Sequence, residues 1–380
     1  MRVIHVIFGR CNPESANGVD KTVYHLARHQ AALGAKVAVF SLTNKEPLPI
    51  PGVDVQPFPS PQGFWARLAP FAPERLVQAI LEWKPRLVHF HSVHIGPFVG
   101  IGRRLKQHGV PYVVTPHGAF APGRLARVPP WVRAYIRLVE KSYLEGAAFV
   151  HAVSQNDVEG LAALGIRAKA VVVPNGVDLS IVPTVVDANL LFHRFPTLRG
   201  KRIFLFLGRL DPLHKGLDIL LEAFAQANCP EAALVLVGPD WRGSLERLKA
   251  HVQRLGLEGR VLFTGPAYGE EKWSYLAGAD VFVHPSRWEG FPFSVLEALA
   301  LAKPVLASEA AGGKDIAAHG AGLEVKAETK SIAKGLNSLC ALSAEELKKM
   351  GEAGRALVAK RFNWRNIATS LQEAYAKAAR

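Results

Sequence analysis

Cysteine is scarce in this chain: three in 380 residues, Cys11, Cys229 and Cys340, widely spaced and odd in number. Such a set builds no disulfide framework and has no metal-ligand spacing, which points to a reducing, cytoplasmic compartment. Long apolar runs are lacking as well. Nowhere do about 18 apolar residues follow one another, the length that a membrane-crossing helix needs. The opening MRVIHVIFGR has neither a long hydrophobic region nor a small-residue cleavage site, and reads as a buried first strand. There is no zinc knuckle and no RNP sequence, so a nucleic-acid partner is not expected. No repeat links the two halves. The expected location is cytoplasmic, with the option of a peripheral seat on the inner face of the cell membrane.

What is present fits a globular protein: hydrophobic residues make up 49% and charged residues 21%. The length suits two domains of similar size. Charge is uneven. Residues 1–180 hold 20 Lys and Arg against 11 Asp and Glu, while the remainder holds 26 against 21. A basic N-terminal half suits an anionic membrane face or a phosphorylated acceptor.

Both halves alternate β-branched runs with helical patterns, the signature of a parallel sheet wrapped by helices. In the first half, strands are expected at Val3–Phe8, Lys36–Leu42, Arg86–His91, Tyr112–Thr115, Phe149–Val153 and Lys169–Val173. A helix over Val19–Leu33 precedes Gly34, a C-cap glycine. The rhythm lapses over residues 180–200 and restarts with Ile203–Leu207. The expected fold class is α/β: two doubly wound, Rossmann-like parallel-sheet domains facing a cleft, with ligands at the carboxyl ends of the strands. The expected bounds are 1–182, 183–362 and a C-terminal helix in 363–380 that crosses back to the first domain.

Two constellations carry chemistry. Pro285-Ser286-Arg287-Trp288-Glu289-Gly290-Phe291-Pro292-Phe293-Ser294-Val295-Leu296-Glu297 runs from a strand end through a glycine-bearing loop into a helix. The helix start offers unpaired N–H groups and a positive dipole end to a diphosphate. Glu297, a turn in, can accept hydrogen bonds from two vicinal hydroxyls such as those of a ribose, and Glu289 would project toward a sugar ring. Outside this setting the same two glutamates would be a turn residue and a solvated helix residue. The second constellation is Gly208-Arg209-Leu210-Asp211-Pro212-Leu213-His214-Lys215-Gly216, again after a strand. Two cations six apart there can neutralise one departing diphosphate, with glycines letting backbone approach it.

These stretches resemble the retaining glycosyltransferases of family 4 (glycosyl transferases group 1), which have the GT-B fold. The family's "GR…KG" falls on Gly208, Arg209, Lys215 and Gly216, and its paired glutamates on Glu289 and Glu297. Val172-Val173-Pro174-Asn175-Gly176-Val177-Asp178, Ala152-Val153-Ser154 and Thr115-Pro116-His117-Gly118 also fit, so the resemblance covers nearly the whole chain. It implies Arg209 and Lys215 on the donor phosphates and Glu297 on the ribose. It places Glu289 and the Gly290, Phe291, Pro292, Phe293 and Ser294 backbone near sugar and phosphates. His117 would lie by the sugar's anomeric region, and Gly18 by the diphosphate or acceptor. Two positions depart from the family pattern: Asn17 stands where a glycine pair would continue, and Pro292 where many members carry glycine.

The implied reaction is retaining hexosyl transfer from a UDP-, GDP- or ADP-linked sugar to a saccharide or lipid-linked hydroxyl, in envelope polysaccharide or glycolipid synthesis, with no cofactor. His89, His91 and His94 cluster near a strand end, but no Cys or carboxylate completes a metal set. Metal is expected to be none. Ala121–Glu145 interleaves Arg124, Arg127, Arg133, Arg137 and Lys141 with Trp131, Tyr135, Ile136 and Leu138. After Pro129-Pro130 this reads as a helix with a basic face, which either grips an anionic acceptor or membrane or packs on the core with its arginines in solvent. Asn17, His91, Arg124 and Arg133 are the expected acceptor-side residues. A sugar-nucleotide binding module without catalysis, or an epimerase or phosphorylase on the same scaffold, are the alternatives.

Overall fold

The computed structural model describes residues 1–14 and 17–379. The chain forms two compact units, Met1–Asn175 together with Trp364–Arg380, and Gly176–Asn363. The first division falls seven residues before the expected 182. Val177 explains it, because its N–H donates to Phe362 O at 2.7 Å and it bridges Asn363, which ties that segment to the second unit.

Seven parallel strands build the first unit: β1 Arg2–Ile7, β2 Lys36–Leu42, β3 Asp54–Phe58, β4 Leu87–His91, β5 Tyr112–Thr115, β6 Phe149–Ala152 and β7 Ala170–Val172. Their order is β3-β2-β1-β4-β5-β6-β7. Strand β3 is absent from the sequence reading because its DVQPF is half-exposed at the edge and carries a proline. The two-residue period of a strand divides the side chains between faces. Ile4, Val6, Phe40, Val88, Phe90, Val114 and Val150 share one core with helix residues Phe98, Leu105 and Leu144. Truncating Phe90 to Ala there would cost about 3–5 kcal/mol. The register pairs His5 with His89 and His91 with Thr115, so these polar residues lie together on the opposite face.

Helix Gly18–Ala32 and the C-terminal helix Trp364–Ala378 belong to the same unit. In the latter Trp364, Ile367, Ala368, Leu371 and Tyr375 are buried, the stripe that a 3.6-residue period predicts. Trp364 stacks on His25 with ring centroids 5.7 Å apart, and Gln372 Nε2 donates to Gln30 O at 3.3 Å. The expected basic helix after Pro130 is real but broken: Pro130–Tyr135, a π-helical turn at Ile136–Glu140, then Lys141–Glu145. Such turns recur at functional positions. This one delivers Glu140, 1% exposed, to His94.

The second unit holds β8 Arg202–Leu207, β9 Ala232–Val237, β10 Val261–Gly265, β11 Val281–His284, β12 Val305–Ser308 and β13 Gly322–Val325, all parallel, in the order β10-β9-β8-β11-β12-β13. Each sheet therefore reverses winding direction at its first strand. The switch points are the carboxyl ends of β1 and β4 in one unit, and of β8 and β11 in the other, where α/β sheets bind ligands.

Candidate active site

The β8/β11 switch point gathers both sequence constellations. After β8, Gly208 and Arg209 lead to Asp211, whose carboxylate caps the short helix Pro212–Lys215 by accepting from His214 N at 3.0 Å. That helix ends on Gly216 at φ +67°, where a Cβ would stand 2.3 Å from Pro285 O. Only glycine lets the loop lie this close to the end of β11. The Lys215 stem passes 3.9 Å from where a Cβ on Gly208 would sit.

Lys215 Nζ consequently meets Glu289 Oε1 in an ion pair. The same oxygen accepts from Ser286 Oγ at 2.8 Å and His284 Nε2 at 3.2 Å. Burial by itself would raise the Glu289 carboxyl; the Lys215 charge and hydrogen bonds from His214 and His284 outweigh it and hold the group well below the usual carboxylate range. His284 is lowered, chiefly by burial, and stays neutral. Arg287 clamps Asp218 in a bidentate pair at 2.7 and 2.8 Å, which fixes the loop before Glu289.

Helix Phe293–Ala300 opens on Pro292 without a side-chain cap. The dipole of this helix start favours an anion. Phe291 itself turns inward, 9% exposed and packed on Phe362 at 5.0 Å, so of this residue only the backbone can serve a ligand. Glu297 is 8% exposed, and its Oε1 accepts from Lys272 Nζ at 2.9 Å. Arg209 lies over the Trp241 ring at 4.1 Å, and His214 stacks on Trp288 at 4.8 Å and 3°.

Trp241, Lys272, His284 and the His214–Trp288 stack were not legible as site residues. Lys272 sits 25 residues from Glu297 on a different helix, Gly269–Gly278, so no local spacing joins them.

In the first unit, β5 ends at Thr115 and the chain turns through His117 at φ +55° and Gly118 at φ +76°. A left-handed histidine is uncommon and costs free energy, as do Ser92 at φ +98° and His94 at φ +60° after β4. Asp157 pins the turn: its Oδ2 accepts from Gly118 N and Val153 N, both at 3.3 Å. Burial pushes the Asp157 carboxyl up to about 6 against these hydrogen bonds. Pro116, His117, His94, Arg67, Arg124 and Trp131 line a cavity of about 350 Å³.

The expected acceptor-side residues separate here. Arg124 lines the cavity. Asn17 is the N-cap of Gly18–Ala32, its Oδ1 accepting from Val19 N at 3.1 Å, with Gly18 as the first helical residue. Arg133 braces the chain by donating to Leu125 O at 2.7 Å. His91 requires correction: it is 0% exposed, and lies behind His117, whose Nε2 is 3.2 Å from His91 Nδ1. It can act on a ligand only through His117. Nor do His89, His91 and His94 form one group. His94 pairs with Glu140 at 2.9 Å, while His5, His89 and His91 bring ring nitrogens within 4.8 Å of one another.

The family described as Glycosyl transferases group 1 matches residues 191–357, and that described as Glycosyltransferase Family 4 matches residues 16–181. The chain belongs to the family 4 glycosyltransferases of GT-B fold. A D-inositol 3-phosphate glycosyltransferase of Jonesia denitrificans is 31% identical over 218 residues, which span 54% of this chain and 51% of that relative. An MMP alpha-(1->4)-mannosyltransferase of Mycolicibacterium hassiacum is 26% identical over 94% of this chain and 93% of its own. Sucrose-phosphate synthase from Thermosynechococcus elongatus superposes with a TM-score of 0.80 at 23% identity, covering 99% of both chains. Anabaena HepE in complex with UDP does so with a TM-score of 0.79 at 22% identity, covering 99% of this chain and 100% of that one. Both likenesses concern the fold.

Proposed function

We propose that this glycosyltransferase moves a hexose, with retention of configuration, from a nucleoside-diphosphate sugar to a hydroxyl of a saccharide or lipid-linked acceptor. The observation that carries this reading is the β8/β11 switch point, where Lys215 and Glu289 pair on the loops that also carry Arg209 and lead into helix Phe293–Ala300. The C-terminal unit takes the donor. Arg209, Lys215 and the N–H groups at Phe293 and Ser294 receive the diphosphate, Glu297 the ribose hydroxyls, and Glu289 with the Gly290–Pro292 backbone the sugar. Anabaena HepE, of the same fold, binds UDP and UDP-glucose.

In the proposed step the bond from C1 to the phosphate oxygen breaks as C1 gains oxocarbenium character. Arg209 and Lys215 stabilise the negative charge that grows on the departing diphosphate. The acceptor oxygen bonds to C1 from the same face, and its proton passes to the phosphate oxygen that leaves. Atoms and charge balance without a cofactor, and the two cations take the part a metal would otherwise play.

The acceptor is assigned to the 350 Å³ cavity of the N-terminal unit, where Arg67 and Arg124 suit an anionic group and Phe64 and Trp131 an apolar or sugar face. A peripheral seat on an anionic membrane, serving envelope polysaccharide or glycolipid synthesis, belongs to the same reading. Among the described residues no helix is long and apolar enough to cross a membrane.

The test is a thermal-shift titration with UDP, GDP and ADP in EDTA, followed by chromatography of donor and products. A ligand at 100 times its dissociation constant adds about 2.7 kcal/mol to the state it binds. One nucleotide raising the midpoint above the others, and its sugar conjugate being consumed with the α or β configuration kept, supports the reading. No shift at millimolar concentration, or an inverted product, overturns it.

A further inference from the structure

The polar face of the N-terminal sheet carries His5, His89, His91, Thr115 and His151, with Gln30, Tyr375 and His117 in hydrogen-bond contact with it. Donors and acceptors in this network can be assigned one by one, starting from a group with no choice. Val173 O only accepts, so His151 Nε2, 2.8 Å away, carries a proton. Burial lowers His151 to about 4, so the ring is neutral and its Nδ1 is a lone pair. It accepts the Thr115 hydroxyl proton at 2.8 Å. Thr115 Oγ1 has then spent its proton and accepts from His89 Nε2 at 2.6 Å. His89 is held well below its ordinary value by burial and by neighbouring histidines, so its Nδ1 is unprotonated and accepts from the Tyr375 hydroxyl at 2.5 Å.

Tyr375 is thereby left with only an acceptor to offer. Gln30 Nε2 has no hydrogen-bond partner among the described residues, while Gln30 Oε1 faces His5 Nε2 at 2.8 Å and, as an amide oxygen, only accepts. A second chain follows. His5 Nε2–H donates to Gln30 Oε1, so His5 Nδ1 accepts from His91 Nε2 at 2.9 Å. His91 Nδ1 then accepts from His117 Nε2 at 3.2 Å. Burial keeps His5 at about 4 and His117 at about 3, and His91 well below its ordinary value, so one proton per ring is the occupied state throughout.

The remaining atom is His117 Nδ1. It is a lone pair without a hydrogen-bond partner among the described residues, on a side chain that lines the cavity.

We propose that the Gln30 amide oxygen, read out through His5 and His91, fixes His117 as the Nε2–H tautomer, so that His117 presents an acceptor at Nδ1 to a hydroxyl of the acceptor bound in the N-terminal cavity. Gln30, His5 and His91 are positioning residues; His117 is the group that touches substrate. The substrate clause rests on the glycosyl-transfer reading, whereas the tautomer does not. A network with the opposite sense would make Nδ1 a donor, and a sugar hydroxyl would have to offer its lone pair instead of its proton. The direction of the His5–His91–His117 chain is thus set at its far end by the Gln30 amide oxygen.

The experiment is long-range proton–nitrogen NMR correlation of the full chain labelled with nitrogen-15 in histidine, without substrate, at pH 7, with His117 assigned by difference from His117→Gln. The expected result is an unprotonated Nδ1 and a protonated Nε2 for His117. Gln30→Leu, which removes the anchor, should give a mixture of both tautomers and lower kcat roughly tenfold, the worth of about one hydrogen bond. Gln30→Glu sets a carboxylate beside His5, which favours a second proton there; that imidazolium would donate from Nδ1 and reverse the chain, so a protonated His117 Nδ1 is expected in this variant. A protonated Nδ1 in the wild type, or a Gln30→Leu protein with the wild-type tautomer, overturns the proposal. Because the spectrum is read without substrate, it stands apart from any failure to transfer sugar.

Discussion

Lys215 and Glu289, 74 residues apart in sequence, form an ion pair across the carboxyl ends of β8 and β11. A pair this enclosed, with side chains 12% and 11% exposed, joins stability to function. The cation is stored beside the place assigned to the diphosphate, and the carboxylate is kept ionised by it.

Lys215→Ala should therefore have two effects. Turnover should fall by about 10²–10³, as for the loss of one preorganised donor to a developing oxyanion. The melting temperature at pH 7 should fall as well, because Glu289 is left enclosed without its counter-ion. The sign with pH follows from the lowered carboxyl. Its contribution is present at neutral pH and is lost as pH drops through the folded value, so the difference from wild type should shrink in acid. Parallel kinetics and thermal melts check both; near-wild-type turnover would remove Lys215 from the chemistry.

Lys272 should act on donor affinity through Glu297. Its Nζ is 2.9 Å from Glu297 Oε1 and 4.2 Å from the Trp273 ring, so it orients the carboxylate assigned to the ribose. Lys272→Met keeps the stem and loses the charge. The KM for donor should rise about tenfold or more, the value of a charge-assisted hydrogen bond, with kcat changed far less. Equal loss in kcat would place Glu297 in the transition state instead.

The contrast between these two cations shows what the sequence could carry. Arg209, Lys215, Glu289 and Glu297 lie in two short stretches where a strand ends and a helix begins, and that local grammar was readable. Lys272 and Trp241 reach the same place from other strand crossovers, and only the β10-β9-β8-β11 order brings them there. The histidine network was hidden for a different reason. His5 and His151 sit singly in apolar strands while His89 and His91 share β4, and what joins them is register, His5 beside His89 and His91 beside Thr115. The π turn at Ile136–Glu140 had no signal in composition at all.

Asp157 gives the stability of the first unit a pH slope. The folded carboxyl stands at about 6, above its ordinary 3.8, so the folded state holds the proton more tightly. Its contribution is fully present below about pH 4 and is lost as pH rises through 6. That rise corresponds to about 3 kcal/mol. Asp157→Asn keeps an acceptor for Gly118 N and Val153 N but does not titrate. Urea unfolding of both proteins from pH 4 to 7 should show the variant gaining on the wild type by that order as pH rises. Parallel profiles would show that Asp157 is ionised throughout.

The outer surface of the N-terminal unit carries a cluster of exposed aromatic side chains. Trp65 is 80% exposed, Phe64 54%, Trp131 50% and Leu138 82%, and Phe64 packs edge-on against both Trp65 at 5.2 Å and Trp131 at 5.7 Å. Aromatic side chains clustered in water are costly, and Arg127, Arg137 and Lys141 follow on the adjoining segments. Transferring one such aromatic side chain out of water is worth roughly 1.5–3 kcal/mol, and each nearby basic residue about 1 kcal/mol on an anionic surface. Together they are enough for reversible docking on vesicles of acidic phospholipid and for none on neutral ones. Flotation at low salt should recover the wild type with the acidic vesicles, Trp65→Ala should weaken binding about tenfold or more, and added salt should release both. The variant should transfer sugar to a soluble acceptor at the wild-type rate, since Trp65 lies outside the cavity lining. Equal recovery of wild type and variant, or none of either, would return this face to solvent and leave the acceptor to reach the enzyme in solution.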